Sequence, residues 1–286
     1  MAAPVFAPWV PTYATYTPYI TAAEFLAEPT GVDTSQLIPG GSQDDNKAAL
    51  VRVIARASSE ADRICQQVLA ATTDIQSGMY RVQRDGTIGI PVKYTPLIEI
   101  SDVAVGRRVA DAVSLVSLAG TRFEQKVAWV PIPGPLSACG RLYAQMTYVN
   151  GFAHTLLASP ASAGDSSLVL KGALGAFPGL PMTVYDAAST EAIAVNASYT
   201  PGSATVPLAA PLQFAHSAGV TVSALPPFVR DAVINLVASL VKVRGAEAFQ
   251  MATIMEQPGH PAASEPGGTT EYQRAVELLA SLKRVV

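Results

Sequence analysis

The residues that could do chemistry are few and scattered in this sequence. Its three histidines, His154, His216 and His260, lie far apart in loop-like contexts, where exposed or structural histidines are commoner than catalytic or metal-binding ones. The acidic pair Asp44-Asp45 could bind a metal, but it stands at the start of a predicted helix, where negative charge favours the helix dipole. These residues predict no catalytic centre and no metal site.

Familiar catalytic and nucleotide-binding motifs are missing from the sequence. No lysine is followed by serine or threonine, so a phosphate-binding P-loop is not expected. The sequence also lacks HExxH, GxSxG and GxGxxG. Catalytic groups can converge from distant positions without a motif, but the pattern favours a protein that is not an enzyme and needs no cofactor.

The two cysteines, Cys65 and Cys139, form neither a CxxC pair nor a metal-ligand spacing. A reduced compartment is the expectation for such a chain. Cys65 falls on the apolar side of a predicted helix, which indicates a buried and unreactive thiol.

Charge is unusually sparse. Charged residues make up 14% of the chain and hydrophobic residues 49%, against about 25% charged residues in a typical soluble domain. The surface is therefore neutral or largely covered by partners, although a GC-rich genome would also enrich Ala and Arg. The net charge of -3 and the lack of a basic run argue against DNA binding through phosphates. No apolar run is long enough for a membrane span, and the start of the chain lacks the basic residues of a signal peptide.

Hydrophobic periodicity predicts an α+β protein with an α-helical core, a β segment and an inserted small all-β module, a sandwich or a barrel. Thr21 and Glu24 have capping-box spacing, and residues 44–69 have the pattern of a long amphipathic helix. The helix after Pro227 has a broad apolar arc, which belongs in a core or a subunit interface. The predicted segments are an extended N-terminal arm at 1–20, the first part of the core at 21–155, the β module at 156–224, a core helix at 225–256, and a tether with a C-terminal helix at 257–286.

Two terminal segments are candidates for contacts with other subunits. The first is rich in proline and aromatic residues, and a frayed terminus would usually be poor in aromatics. Its candidate intersubunit residues are Trp9, Tyr13, Tyr16 and Tyr19. The second is the C-terminal helix, which either packs back on its own domain or docks on a partner with its apolar stripe. Its candidate docking residues are Tyr272, Val276, Leu279 and Leu282.

The order of these elements carries a family resemblance. The stretch YITAAEFLA (19–27) precedes the long amphipathic helix, the β segment ends in YVNGF (148–152), and LPPFVRDAVINLVASLV (225–241) opens a later helix. This order resembles the head-to-tail connector, or adaptor, proteins of long-tailed double-stranded DNA bacteriophages. The resemblance covers 21–150 and 225–286. The module at 156–224 departs from the compact members of that family.

The resemblance implies a structural virion protein at the head-tail junction, present in the host cytoplasm during assembly. Such a protein forms a dodecameric ring of identical copies, binds the portal protein and the next neck or tail protein, and lines the channel through which double-stranded DNA passes without specific binding. In this family the C-terminal region reaches the portal, so we expect Tyr272, Val276, Leu279 and Leu282 to dock there. Removal of the tethered helix is then expected to leave the fold stable.

Other functions stay open. A second structural possibility is another neck or tail-completion protein, such as a stopper or a tail terminator. A third, of a different class, is a bacterial enzyme or carbohydrate-binding protein with a β-sandwich module. A cluster of acidic and aromatic residues at one site would favour the third possibility, and the sequence pattern shows none.

Overall fold

The computed structural model describes residues 17–115, 120–124, 126–137, 140–256 and 270–284. The helices in this part of the chain are α1 (Ala22–Ala27), α2 (Gln43–Cys65), α3 (Gly134–Ser137), α4 (Pro227–Glu256) and α5 (Glu271–Leu279). The strands are β1 (Thr72–Arg81), β2 (Thr87–Pro91), β3 (Leu97–Gly106), β4 (Val113–Ser114), β5 (Arg122–Glu124), β6 (Val127–Pro131), β7 (Arg141–Asn150), β8 (His154–Leu156), β9 (Ser167–Val169), β10 (Pro181–Tyr185), β11 (Glu191–Ala194), β12 (Thr205–Pro207) and β13 (Thr221–Ser223). The predicted α+β class is confirmed. Over the described ranges, no helix is long and apolar enough to cross a membrane.

Capping boxes fix the starts of three helices. The predicted box at Thr21 and Glu24 opens α1. The long helix α2 begins one residue earlier than predicted, because Ser42 is its N-cap and Asp45 completes the box. It also ends earlier, at Cys65 and not near residue 69, since Gln66 takes a left-handed conformation with φ of 57°. Thr270 caps α5 in the same way.

Four helices share one hydrophobic core, which we call the helical cluster. It joins the buried sides of α1, α2, α4 and α5, although some 160 residues of strand and loop separate α2 from α4 in the chain. The predicted apolar face of α2 is confirmed by buried Leu50, Ile54 and Ala61. The broad apolar arc of α4 lies in this cluster too, with Val233 and Val237 fully buried. That arc is therefore used within the chain.

A second core, the first strand cluster, lies between two antiparallel sheets. One has the strand order β1-β7-β3-β4 and the other β2-β6-β5. The inner side of β7 contributes Leu142, Ala144, Met146 and Tyr148, all fully buried. A turn at Asp85-Gly86 joins β1 to β2, with Gly86 at φ of 77°. Strands β5 and β6 pair with each other.

The third core, the second strand cluster, is formed by residues between Ala153 and Val222. Its sheets have the orders β11-β10-β13-β8 and β12-β9. Strand β8 pairs with β13, so the ladder crosses the boundary predicted between 155 and 156. The two ends of this segment lie together, because the Ala224 N–H donates to the Ala153 carbonyl at 2.8 Å.

Candidate functional site

The C-terminal helix α5 packs against α2 and α4. Ala275 and Leu279 are fully buried in the helical cluster. At the rim, the Tyr272 hydroxyl lies 3.0 Å from Glu60 Oε1 and accepts a hydrogen bond from Arg63 Nη2 at 3.3 Å. Beyond the helix, Gln67 Nε2 donates to the Leu282 carbonyl at 3.1 Å, and the Arg284 N–H donates to the Cys65 carbonyl at 2.9 Å. Apolar and polar contacts both hold this helix on its own domain.

This packing corrects one predicted docking residue. Leu279 is buried inside the chain, so it is not an available surface anchor, because exposing it would open the helical cluster. In the structure the helix packs back on its own domain, which was the other alternative drawn from the sequence. Tyr272 is exposed, while Val276 and Leu282 are half-buried, so these three can be reached by a partner. The tether at 257–268 lies outside the described residues.

Tyr19 is also an internal residue and not part of an exposed arm. Its side chain is buried, and its hydroxyl contacts the Asp62 carboxylate and accepts hydrogen bonds from the N–H groups of Leu69 and Ala70 at 3.0 and 3.2 Å. These contacts hold the chain that leaves α2. The prediction of Tyr19 as an intersubunit residue is therefore wrong. Trp9, Tyr13 and Tyr16 lie outside the described residues.

Arg230 on α4 forms the most connected ionic site. Its Nη1 lies 3.1 Å from Glu24 Oε2, its Nη2 lies 3.5 Å from Glu28 Oε1, and its guanidinium carbon stands 4.3 Å above the ring of Tyr185. Glu24 is 6% exposed, and burial raises the pKa of its carboxyl even though the Arg230 charge opposes that rise. Since Tyr185 belongs to β10, Arg230 connects the helical cluster to the second strand cluster.

His154 makes a second connection between the same two clusters. From β8, its Nε2 lies 2.9 Å from the Pro18 carbonyl and its Nδ1 lies 3.0 Å from Ser223 Oγ. The Tyr19 ring packs on it edge-on, with centroids 5.4 Å apart. Burial lowers the pKa of His154 to about 4, although the Pro18 carbonyl opposes that shift. The residue thus acts as a neutral link.

A third polar cluster lies within the second strand cluster. The fully buried side chain of His216 places Nε2 2.7 Å from Glu191 Oε1 and Nδ1 3.2 Å from Asp186 Oδ2. Glu191 also accepts the N–H groups of Gln213 and Phe214 at 2.9 and 3.2 Å. Burial acts to raise the pKa of Glu191, but these hydrogen bonds outweigh it and lower that pKa. The cluster connects the segment between β10 and β11 to the loop that precedes β13.

Sequence reasoning missed these connections, although a signal existed. Between residues 142 and 229 only four side chains are charged, and two of them, Asp186 and Glu191, meet His216. A buried charge needs a partner, and a chain segment with few charges offers few possible pairs. Arg230, the first charge after that stretch, follows the same rule.

The histidine side chains of these clusters are already occupied by neighbouring groups. The His216 side chain is closed to solvent, and the His154 ring nitrogens already have partners. In the described ranges, no group of three or more His, Cys, Asp or Glu residues is arranged to hold a metal ion. An open pocket of about 730 Å³ lies beside the ends of β3 and β6, and most of its lining is apolar.

Comparison of the chain with protein-family models, with curated proteins and with solved structures gives no significant match.

Proposed function

We propose that this chain is a structural, non-catalytic subunit of the head-tail junction of a long-tailed double-stranded DNA phage. In this role, copies of the chain form a ring, dodecameric by the family resemblance, which binds the portal on one side and the next neck or tail protein on the other. DNA passes through the ring without specific contacts. The site of action is the virion, after assembly in the host cytoplasm.

One observation carries the proposal. Helices from both ends of the chain, α1 and α2 on one side and α4 and α5 on the other, share a single core, and both strand clusters lie between them in the sequence. This arrangement agrees with the element order on which the connector resemblance rests. The motif LPPFVRDAV supplies the start of α4 and places Arg230 against Glu24 of α1.

The segment from β8 to β13 is, in this proposal, an all-β module inserted into a helical adaptor core. Its ends meet at the Ala224–Ala153 hydrogen bond, and it has its own core. When the two ends of an inserted segment are adjacent, the surrounding domain can fold without that segment. Replacement of 154–223 by a short Gly/Ser linker should therefore retain a cooperative helical melt. If the helical signal is lost without cooperativity, the segment is part of the core and not an insertion.

Portal docking would use the exposed side of α5 and the turn that follows it, with Tyr272 and Val276 on the helix and Leu282 in the turn as candidates. The ring contacts would use surfaces other than the apolar arc of α4, because that arc is buried within the chain.

The decisive experiment uses the whole chain with the portal protein of its own phage. Native mass spectrometry or electron microscopy should find about twelve copies on each portal ring. One or two copies per portal would refute the ring, and a single ring on isolated tails without portal binding would favour a tail terminator instead. The matched control is Lys171→Glu, a charge reversal on the second strand cluster, which should attach normally.

A further inference from the structure

A small apolar cavity lies where the first and second strand clusters meet. Its volume is about 180 Å³, and each residue that lines it is apolar or glycine. The start of β3, the turn between β7 and β8, the loop between β9 and β10 and the residue after β13 form its walls. We call it the junction cavity. Its lining includes Leu97, Ile98, Gly151, Phe152, Phe177 and Leu180. An apolar cavity of about 150 Å³ stays free of water and accepts benzene, so the junction cavity has room for one six-membered ring.

Two walls of the junction cavity are fixed by close contacts with the chain that enters β1. Gly175 has φ of 82°, and a Cβ atom there would lie 2.6 Å from the Cβ atom of Ala71. Gly151 has φ of 93°, and a Cβ atom there would lie 2.6 Å from the carbonyl oxygen of Ala70. The loop and the turn therefore rest directly on the same two residues. A cavity whose walls relax little costs more stability when it is empty.

The open side of the junction cavity has exposed apolar side chains. Phe177, which lines the cavity, is 40% exposed, and Leu174, beside the lining residue Gly175, is 47% exposed. Pro178, next to Phe177, is exposed as well. Exposed apolar surface that continues into an apolar cavity is typical of a binding site for an apolar group.

The described part of the chain begins beside this cavity. The Pro18 carbonyl lies 2.9 Å from His154 Nε2, and the Tyr19 ring packs edge-on against the same imidazole. His154 directly follows Ala153, which lines the cavity. Residues 1–16, which lie outside the described residues, are therefore joined to the fold next to the cavity wall.

The sequence of 1–16 has the chemistry of an occupant. Its side chains carry no charge, and four of them are aromatic. Phe6 is the one aromatic residue among them without a polar atom in its side chain, whereas the indole N–H of Trp9 and the tyrosine hydroxyls need hydrogen-bond partners when they are buried. Pro4 and Pro8 stand two residues before and after Phe6 and have fixed φ angles, which lowers the entropy lost when this stretch binds.

We propose that the junction cavity binds the Phe6 side chain of the same copy of the chain. Phe6 stands eleven positions before Thr17, a reach of up to about 34 Å at about 3.1 Å per residue. Because the segment is tethered next to the cavity, its effective concentration there is on the order of millimolar, far above that of a second copy in dilute solution. The competing occupant is a small apolar molecule from solution. The proposal does not rest on the head-tail function, because it concerns the free chain.

The direct test is NMR of the full chain, deuterated except for the phenylalanine rings and the methyl groups of Ile, Leu and Val. Ring protons of Phe6 should give nuclear Overhauser contacts to the methyl groups of Leu97, Ile98 and Leu180. Phenylalanines of the lining give contacts of their own, so the contacts that count are those lost in Phe6→Ser. A mixture of two copies, one with protonated rings and the other with protonated methyl groups, should lack these contacts.

Benzene provides the second test. Phe6→Ser empties the cavity, so the melting temperature should fall by about 2 to 4 °C. Saturating benzene should recover most of that loss in Phe6→Ser, but it should shift the wild type by less than about 0.5 °C, because Phe6 already occupies the cavity. Val10→Ser, which removes an apolar side chain from the same segment, is the matched control and should melt like the wild type with and without benzene.

Each contrary result overturns the proposal. Benzene that stabilises the wild type as much as it stabilises Phe6→Ser would show that the cavity is empty and accepts a small molecule from solution. Contacts in the mixture of separately labelled copies would show that the ring comes from a second copy. Ring contacts that survive in Phe6→Ser, or an equal loss of stability in Val10→Ser, would exclude Phe6 as the occupant. A failure to bind portal would count against the proposed function alone.

Discussion

Replacing Leu279 by alanine tests whether the C-terminal helix is part of the core. Leu279 is fully buried in the helical cluster, next to Cys65, whose Sγ lies 3.9 Å from the Leu279 carbonyl. Truncation of a fully buried leucine loses its transfer free energy and leaves a cavity, at a cost of about 3 to 5 kcal/mol. For a chain of this size, that lowers the melting temperature by roughly 5 to 8 °C.

The matched control is Leu26→Ala on α1, where the leucine is 57% exposed. Its free energy of unfolding should change by no more than about 0.5 kcal/mol. Urea unfolding followed by circular dichroism measures both variants. Truncation before Thr270 should lower stability as well, contrary to the expectation drawn from the sequence, because it uncovers the surfaces of α2 and α4 on which α5 packs. Equal stability of the two leucine variants would mean that α5 does not pack on the core, and docking by Leu279 would again be possible.

Three further substitutions probe the polar connections of the fold. Tyr19→Phe removes the hydroxyl that binds Asp62 and the Ala70 N–H, so the free energy of unfolding should fall by about 1 to 3 kcal/mol in urea titrations. Arg230→Met leaves Glu24 buried without its cation and should cost about 3 to 5 kcal/mol, and the added change Glu24→Gln should recover part of that loss in the same assay. For His154, the folded pKa of about 4 lies below the ordinary value of 6.5, so the unfolded chain takes up a proton first as the pH falls. Stability should therefore drop by roughly 2 kcal/mol between pH 7 and pH 5 because of this residue, and His154→Gln should show a pH dependence smaller by that amount.

Local structure was largely readable from the sequence. The capping box at Thr21 and Glu24 depends on two residues three positions apart, and the apolar face of α2 depends on 3.6-residue periodicity. Apolar residues alternate along the sequence of β7, and this alternation agrees with the buried side of the strand, which includes Leu142 and Met146. Each of these features depends on neighbours within a turn or two of chain, which is why a pattern search finds them.

The ends of elements were less predictable. The end of α2 depends on Gln66 in a left-handed conformation and on the Tyr19 hydroxyl, which comes from a residue 50 positions before Leu69. The broad apolar arc of α4 was equally compatible with a core and with a subunit interface, and only packing against α1, α2 and α5 decided between them. For α5 the sequence likewise left open whether the helix packs on its own domain or docks on a partner, because an apolar stripe does not identify the surface that covers it.

The sequence by itself determined that the chain mixes helices with antiparallel strands, that charge is sparse and that Cys65 is buried. Only the tertiary structure decided that Arg230 joins Glu24 to Tyr185 and that His216 lies between Asp186 and Glu191. The physical reason is separation along the chain. Hydrophobic periodicity acts over a few residues, whereas a buried charge is stabilised by whichever partner the fold brings within about 4 Å, however distant that partner is in sequence.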